Sequence, residues 1–216
     1  LCKCLALFIE NAYIQSMKSV AIILAAGKGT RLKSKITKPL HNIGGRPMLA
    51  WSLDAAIAAK ASRTITVLSP QSKQIQDWLD GRDFCIQEKP LGTGHAVLAA
   101  APQLADFDGV ALIMFADTPL VTSDTLTRLV SSIETSKSIA VLGFETSNPH
   151  GYGRLITDSS GHLLRIVEDK DANDNEKRIN LVNGGVMAVR CPLLFDLLKR
   201  VQPNSKTGEV YLTDII

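Results

Sequence analysis

The chain has 216 residues, is 45% apolar and carries a formal charge of +3, with 24 basic and 21 acidic side chains. That is enough apolar material for one globular domain with a sizeable core. Lys and Arg alternate with acids instead of forming a stripe, which argues against a nucleic-acid surface and leaves a small anionic ligand open.

No apolar run reaches the roughly 18 residues of a membrane span. Cys2, Cys4, Cys85 and Cys191 form no C-x-x-C pair and read as reduced thiols, in keeping with an expected cytoplasmic location. The opening LCKCLALFIENAYIQS does not begin with Met, and its apolar stretch is broken by Glu10 and Asn11. Residues 1–17 read as a leader outside the fold and 18–216 as the domain, with Met17 as the natural start.

In chain order, SVAIILAA (19–26) is a continuous apolar run closed by Gly, the pattern of a strand buried on both faces. Residues 48–60 read as a helix with Pro47 in the first turn and Leu49, Leu53 and Ile57 on one face. The β-branched RTITVLS (63–69) reads as a strand, 72–79 as a helix and FCIQ (84–87) as a short strand. A helix is expected over 94–104, a central strand over 109–116, a Ser- or Thr-capped helix over 123–134 and a strand over 138–145. The alternation predicts an α/β fold, a doubly wound, mostly parallel sheet with helices on both faces. Beyond residue 150 the pattern changes. A hairpin around Ser160-Gly161, a strand over 181–190 and a helix over 192–201 started by Pro192 predict a smaller antiparallel lobe.

Three loops follow predicted strands, at the edge where open α/β sheets bind ligands. Gly27-Lys28-Gly29 is neither a Walker A loop nor a Rossmann fingerprint; it is a tight turn or an anion cradle. Arg31 and Lys38, with Lys33 and Lys35, favour an anion there, although a solvated basic loop has the same composition. Asp117 follows the central strand and is either a turn residue before Pro119 or a Mg²⁺ anchor beside a polyphosphate. LGTGHA (91–96) offers free amides for a base or phosphate. His95 within it reads as a cap or packing residue, since no paired Ser or Cys is evident.

LAAGKGTR (24–31) followed by Lys38 resembles the signature of the sugar-phosphate nucleotidyltransferases. LGTGHAV, DTPL, HGYGRLI, IVEDKDA and the terminal GEVYLTDII, in that order, resemble the N-terminal uridylyltransferase (pyrophosphorylase) domain of the bacterial bifunctional GlmU family over residues 18–216. The resemblance implies the nucleotide-diphospho-sugar transferase fold and a Mg²⁺-dependent reaction of UTP with N-acetylglucosamine 1-phosphate (GlcNAc 1-phosphate) to UDP-N-acetylglucosamine (UDP-GlcNAc) and pyrophosphate. It implies Arg31 and Lys38 as the phosphate clamp and Asp117 as the Mg²⁺ ligand. Leu24, Ala25, Ala26, Gly27, Gln87, Gly92, Thr93, Phe115 and Ala116 would bind the nucleotide, with Gln87, Gly92 and Thr93 on the uracil. Gly153, Glu168 and Asn183 would bind the sugar.

The chain departs from the family pattern at Phe115-Ala116, where an aromatic-Gly pair is usual and the extra methyl would crowd the nucleotide. It departs again at Asn183-Gly184-Gly185, usually Asn-Thr-Gly, and at Lys38-Pro39-Leu40. The last of these leans towards relatives that use glucose 1-phosphate with UTP or dTTP. A second metal ligand and the trimer-forming acetyltransferase domain of such enzymes would lie beyond Ile216, so this chain is expected to be C-terminally truncated and monomeric, with an incomplete metal site, weak or no turnover and no acetyl transfer. A UDP-sugar binding module without turnover is the rival from another class.

Overall fold

The computed structural model describes residues 17–27, 29, 32–133, 138–205 and 207–216. The expected leader, Met17 excepted, lies outside them. An eight-stranded sheet forms the centre, and β1 (Ser19–Leu24) is its innermost parallel strand. Every residue of β1 is buried, which is why its sequence is a continuous apolar run and not an alternation. It pairs in parallel with β4 (Arg63–Leu68) and β6 (Val110–Phe115), and β4 pairs in parallel with β5 (Phe84–Ile86). A two-stranded ribbon, β2 (Asn42–Ile43) and β3 (Arg46–Pro47), stands apart.

Alternate β1 residues serve two cores. Val20, Ile22 and Leu24 pack with α3 (Thr93–Leu98) and α5 (Cys191–Arg200). Ala21 and Ile23 pack with α1 (Met48–Ala58), α2 (Lys73–Leu79) and α4 (Ser123–Ser131). The expected two-faced sheet is therefore present. Each fully buried Leu or Ile of these layers is worth roughly 1.5–3 kcal/mol of transfer free energy.

Several expectations need correction. Helix α1 ends at Ala58, and Ile57 is 56% exposed. At 3.6 residues per turn Ala56 returns to within about 20° of Leu49, whereas Ile57 has drifted by about 80°. The buried face is thus Leu49, Leu53 and Ala56. Pro47 is the residue before α1, paired in β3, not part of its first turn. The helix foreseen over 94–104 stops at Leu98, and a 3₁₀ turn, Ala101–Leu104, follows with Pro102 in its first positions. Proline has no amide to continue the α ladder. Thr122 caps α4 by accepting from the Thr125 amide.

The expected antiparallel part is present, and its strands continue the main sheet. β10 (Leu181–Arg190) pairs antiparallel with β6, and β7 (Ile139–Glu145) and β8 (Arg154–Thr157) pair antiparallel with β10. β9 (Leu163–Val167) completes the hairpin with β8. β7 runs in the same sense as β6, as the alternation predicts, but β10 lies between them. The register of β10 shifts between Asn183 and Met187, at the Gly184-Gly185 pair. The shift is against β7; towards β6, Gly185 lies close to Phe115, and a Cβ built on it would be 3.2 Å from the Phe115 ring.

Candidate active site

The parallel registers bring the ends of β1, β4, β5 and β6 to one edge, with Leu24 opposite both Val67 and Phe115, and Leu68 opposite Ile86. The loops that follow are tied across this edge. Ala25 donates to the Val67 carbonyl, Ala116 to that of Leu24, and Gln87 to that of Leu68. A cleft of about 820 Å³ lies over it, lined among others by Leu24, Ala25, Ala26, Gly27, Lys38, Gln87, Gly92, Thr93, Phe115, Ala116 and Asp117. Every described residue expected to hold the nucleotide, its phosphates or the metal faces this one space. Arg31 lies outside the described residues.

Lys38 Nζ is ion-paired with Asp117 Oδ2, joining the loop after β1 to the loop after β6. Gly29 explains the close approach. It has φ +57°, and a Cβ built there would lie 2.7 Å from Lys38 Cβ. At Gly27 an added Cβ meets no protein atom within 4 Å, so its bareness leaves room in the cleft. Ala116 lines the cleft yet is only 1% exposed and belongs to the α1–α2–α4 core, contrary to a methyl that crowds the cleft.

Gln87 is buried, and its amide is oriented unambiguously. Nε2 lies 3.0 Å from the Gly92 carbonyl, which only accepts, so that side must be the NH₂. The same group lies 3.2 Å from His95 Nδ1, which then accepts. Both donors are engaged, and Oε1 remains as an acceptor for the cleft. His95 is therefore an orienter of Gln87, a role that sequence reading missed because only the fold brings the two together. The loop holding Gly92 is stitched to the C-terminal segment. Gly94 donates to the Val210 carbonyl, Val210 to that of Leu91, and the Leu212 amide to Thr93 Oγ1. The first-turn amide of Gly94 is thus already bonded and unavailable to a ligand.

A second cavity of about 360 Å³ adjoins the first and shares Thr93, Phe115 and Tyr211 with it. Gly153, Glu168 and Asn183 all line it. So do Tyr152, Lys170, Tyr211 and Thr213, which sequence reading did not single out. Tyr211 is held by Lys170, whose Nζ bonds its hydroxyl at 3.0 Å and lies 4.9 Å from its ring centre. Asn183 Oδ1 accepts from the Gly185 amide at 2.9 Å, so the side chain does serve the turn. Its NH₂ is what remains to offer a ligand. Burial pushes the Glu168 carboxyl above its ordinary range, partly offset by the Thr213 hydroxyl donating to Oε1 at 3.4 Å. The native state holds that proton more tightly than the unfolded chain, so this group favours folding less as pH rises.

The model for the MobA-like NTP transferase domain matches residues 21–178. The chain belongs to the MobA-like NTP transferase family. It is 50% identical over 198 residues to bifunctional protein GlmU of Maricaulis maris, covering 91% of this chain and 44% of that protein. It is 46% identical over 201 residues to the GlmU of Rhodospirillum rubrum, covering 92% and 45%, and 42% identical over 200 residues to that of Geotalea uraniireducens, covering 91% and 44%. The chain spans less than half the length of these relatives. In three dimensions it superposes on UDP-glucose pyrophosphorylase, solved in complex with UDP-glucose, with a TM-score of 0.75 at 19% identity, over 92% of this chain and 85% of that one. That likeness establishes a nucleotide-sugar transferase fold for this NTP transferase chain. Among the described residues no helix is long and apolar enough to cross a membrane.

Proposed function

We propose that this chain is a uridylyltransferase domain that joins UTP to N-acetylglucosamine 1-phosphate, giving UDP-N-acetylglucosamine and pyrophosphate. The carrying observation is the pair of adjoining cavities, with the Lys38–Asp117 ion pair in the larger and Glu168 and Asn183 in the smaller. Similarity to the GlmU proteins supports the choice of nucleotide and sugar. We further place the protein in the cytoplasm, in keeping with the free thiols of Cys85 and Cys191.

In this reading the larger cavity takes the nucleotide. Gln87 Oε1 accepts from the ring N–H of uracil, a donor that cytosine lacks at that position. The glycine-rich backbone from Leu24 to Gly27 lies along the nucleotide, with Phe115 and Ala116 on the adjoining wall. Lys38 exchanges the Asp117 carboxylate for the triphosphate, and Arg31 is the second phosphate cation. A phosphate oxygen of the sugar phosphate attacks the α-phosphorus of UTP, the bond from that phosphorus to the bridging oxygen breaks, and pyrophosphate leaves. Such transfer needs alignment and charge neutralisation, not a covalent enzyme intermediate.

The donor set fits Mg²⁺. Asp117 is a half-exposed carboxylate in the cleft, and Mg²⁺ is commonly held by one or two carboxylates with substrate phosphates and waters. Among the described residues no group of three acidic, Cys or His side chains gathers, so Asp117 would be their contribution. When bound, the ion would neutralise charge on the triphosphate.

Glu168 accepts from a sugar hydroxyl, Asn183 donates to the sugar, and Gly153 contacts it through its backbone. The ionised form of Glu168 is the binding form, and its carboxyl takes up a proton above the ordinary glutamate range. UDP-GlcNAc affinity relative to UDP is therefore expected to fall when titrations move from about pH 7 to about pH 5. An unchanged ratio would remove Glu168 from the sugar site.

Calorimetric titration with UDP-GlcNAc, using UDP-glucose as control, tests the assignment. Preference for UDP-GlcNAc is expected. Equal affinity would keep a UDP-sugar site and discard the N-acetylglucosamine assignment.

A further inference from the structure

Arg154 is 1% exposed and is one of the largest fully buried side chains of the protein. A guanidinium is almost never found there unless paired. Its Nη2 donates to Asp169 Oδ1 at 2.8 Å, and its Nη1 donates to the Tyr152 carbonyl. Its Nε is buried with no hydrogen-bond partner. Asp169 also accepts the Gly151 amide.

Stability alone is a weak reason for this arrangement. Desolvation largely offsets the attraction within a buried ion pair, and well-packed apolar replacements are often neutral or stabilising. The orphaned Nε adds a further cost. What distinguishes the pair is its place in the chain. The Tyr152 carbonyl belongs to the peptide leading into Gly153, and Asp169 directly follows Glu168. Both neighbours line the smaller cavity, and they face each other closely: a Cβ on Gly153 would lie 3.7 Å from Glu168 Oε2 and 3.2 Å from Ile166 Cγ2. The same segment is anchored at two further points. The Asn183 amide donates to the Gly153 carbonyl at 2.8 Å, and the Tyr152 ring meets Phe144 edge-on at 5.2 Å. Toward the strand end that carries Glu168, the Gly151 amide and His150 also meet Asp169 and β8 pairs with β9, but the Arg154 guanidinium alone among these contacts bridges Asp169 to the Tyr152 carbonyl beside Gly153.

We propose that Arg154 is a positioning residue of the smaller cavity, joining the Tyr152 carbonyl to Asp169 and so setting the distance between the Gly153 backbone and the Glu168 carboxylate on which discrimination of the sugar depends. This inference rests on the smaller cavity being the sugar site. Arg154 touches no substrate in this account. Its effect reaches the ligand only through the two walls that it holds.

The test uses Arg154→Met with Asp169→Leu, which removes both charges together and leaves neither one buried alone. Thermal unfolding checks the fold, and calorimetric titration compares UDP with UDP-GlcNAc. The double variant is expected to unfold no earlier than the native protein and to bind UDP as the native protein does. Its ratio of UDP-GlcNAc to UDP affinity is expected to fall about tenfold. Arg154→Lys keeps a charge pair but loses the fork that reaches both partners. It should show a smaller loss in the same ratio, and it stands as the test if the double variant does not fold. A native ratio in the folded double variant, or in Arg154→Lys alone, would overturn the proposal. Parallel loss of UDP affinity and stability would assign the pair a purely structural role and also overturn it. Native protein that binds UDP with no contribution from the sugar would instead remove the sugar-site reading, and this inference with it.

Discussion

Lys38→Ala is expected to lower the rate of UDP-GlcNAc formation by about 10²–10³-fold, the usual effect of losing one electrostatic stabiliser from a transition state. The substitution is a clean probe of charge. Alanine keeps the Cβ that packs over Gly29, so the backbone contact of the loop survives. Lys38 is half-exposed and its side chain meets Asp117, so its removal leaves Asp117 facing solvent and not stranded in a core. Thermal unfolding should therefore change little while pyrophosphate release collapses. UDP affinity should fall less than the rate, because the transferring phosphoryl group gains charge separation only as the bond to pyrophosphate breaks. Asp117→Asn should lose rate comparably and become insensitive to added Mg²⁺. Full activity in either variant would exclude the Lys38–Asp117 pair from the reaction.

Gly92→Ala should have the second large effect, and through geometry instead of charge. Gly92 sits at φ +97°, where an L side chain is strained, and its added Cβ would lie 2.5 Å from the Val210 carbonyl oxygen. That oxygen is backbone, not the flexible end of a side chain. The loop after β5 and the C-terminal segment are laced together by the Gly94–Val210, Val210–Leu91 and Leu212–Thr93 hydrogen bonds. Strain and overpacking together suggest a loss of about 2–4 kcal/mol in stability, read by denaturant unfolding. The Gly92 carbonyl also orients Gln87, so the variant should lose selectivity for UDP over CDP as well as affinity. Native selectivity in a folded Gly92→Ala protein would contradict the role given to this loop.

What was legible in the sequence follows burial and locality. β1 and β6 read clearly because strands covered on both faces need unbroken apolar runs. Strand ends read as ligand loops because glycines and an acid follow them directly, and the structure gathers Gly27, Lys38, Gln87, Gly92 and Asp117 around one cleft. The placing of β10 between β6 and β7 was not legible, since strand pairing across long separations leaves no local pattern. Ile57 misled because a helix face drifts with every fourth residue, and small Ala56 gives a weak apolar signal. His95 and Arg154 were unreadable for one shared reason. Each acts on a neighbour of the site, through Gln87 in one case and through the Tyr152 carbonyl and Asp169 in the other. Tyr211 and Thr213 enter the cavities only because the C-terminal segment packs along the loop after β5.

The most direct measurement is product formation by this chain with UTP, Mg²⁺ and an equal mixture of GlcNAc 1-phosphate and glucose 1-phosphate, following pyrophosphate release and identifying the nucleotide sugar. The account predicts stoichiometric pyrophosphate, UDP-GlcNAc as the dominant product and loss of both signals in Lys38→Ala. UDP-glucose in equal or greater amount, or pyrophosphate release that persists in Lys38→Ala, would contradict it.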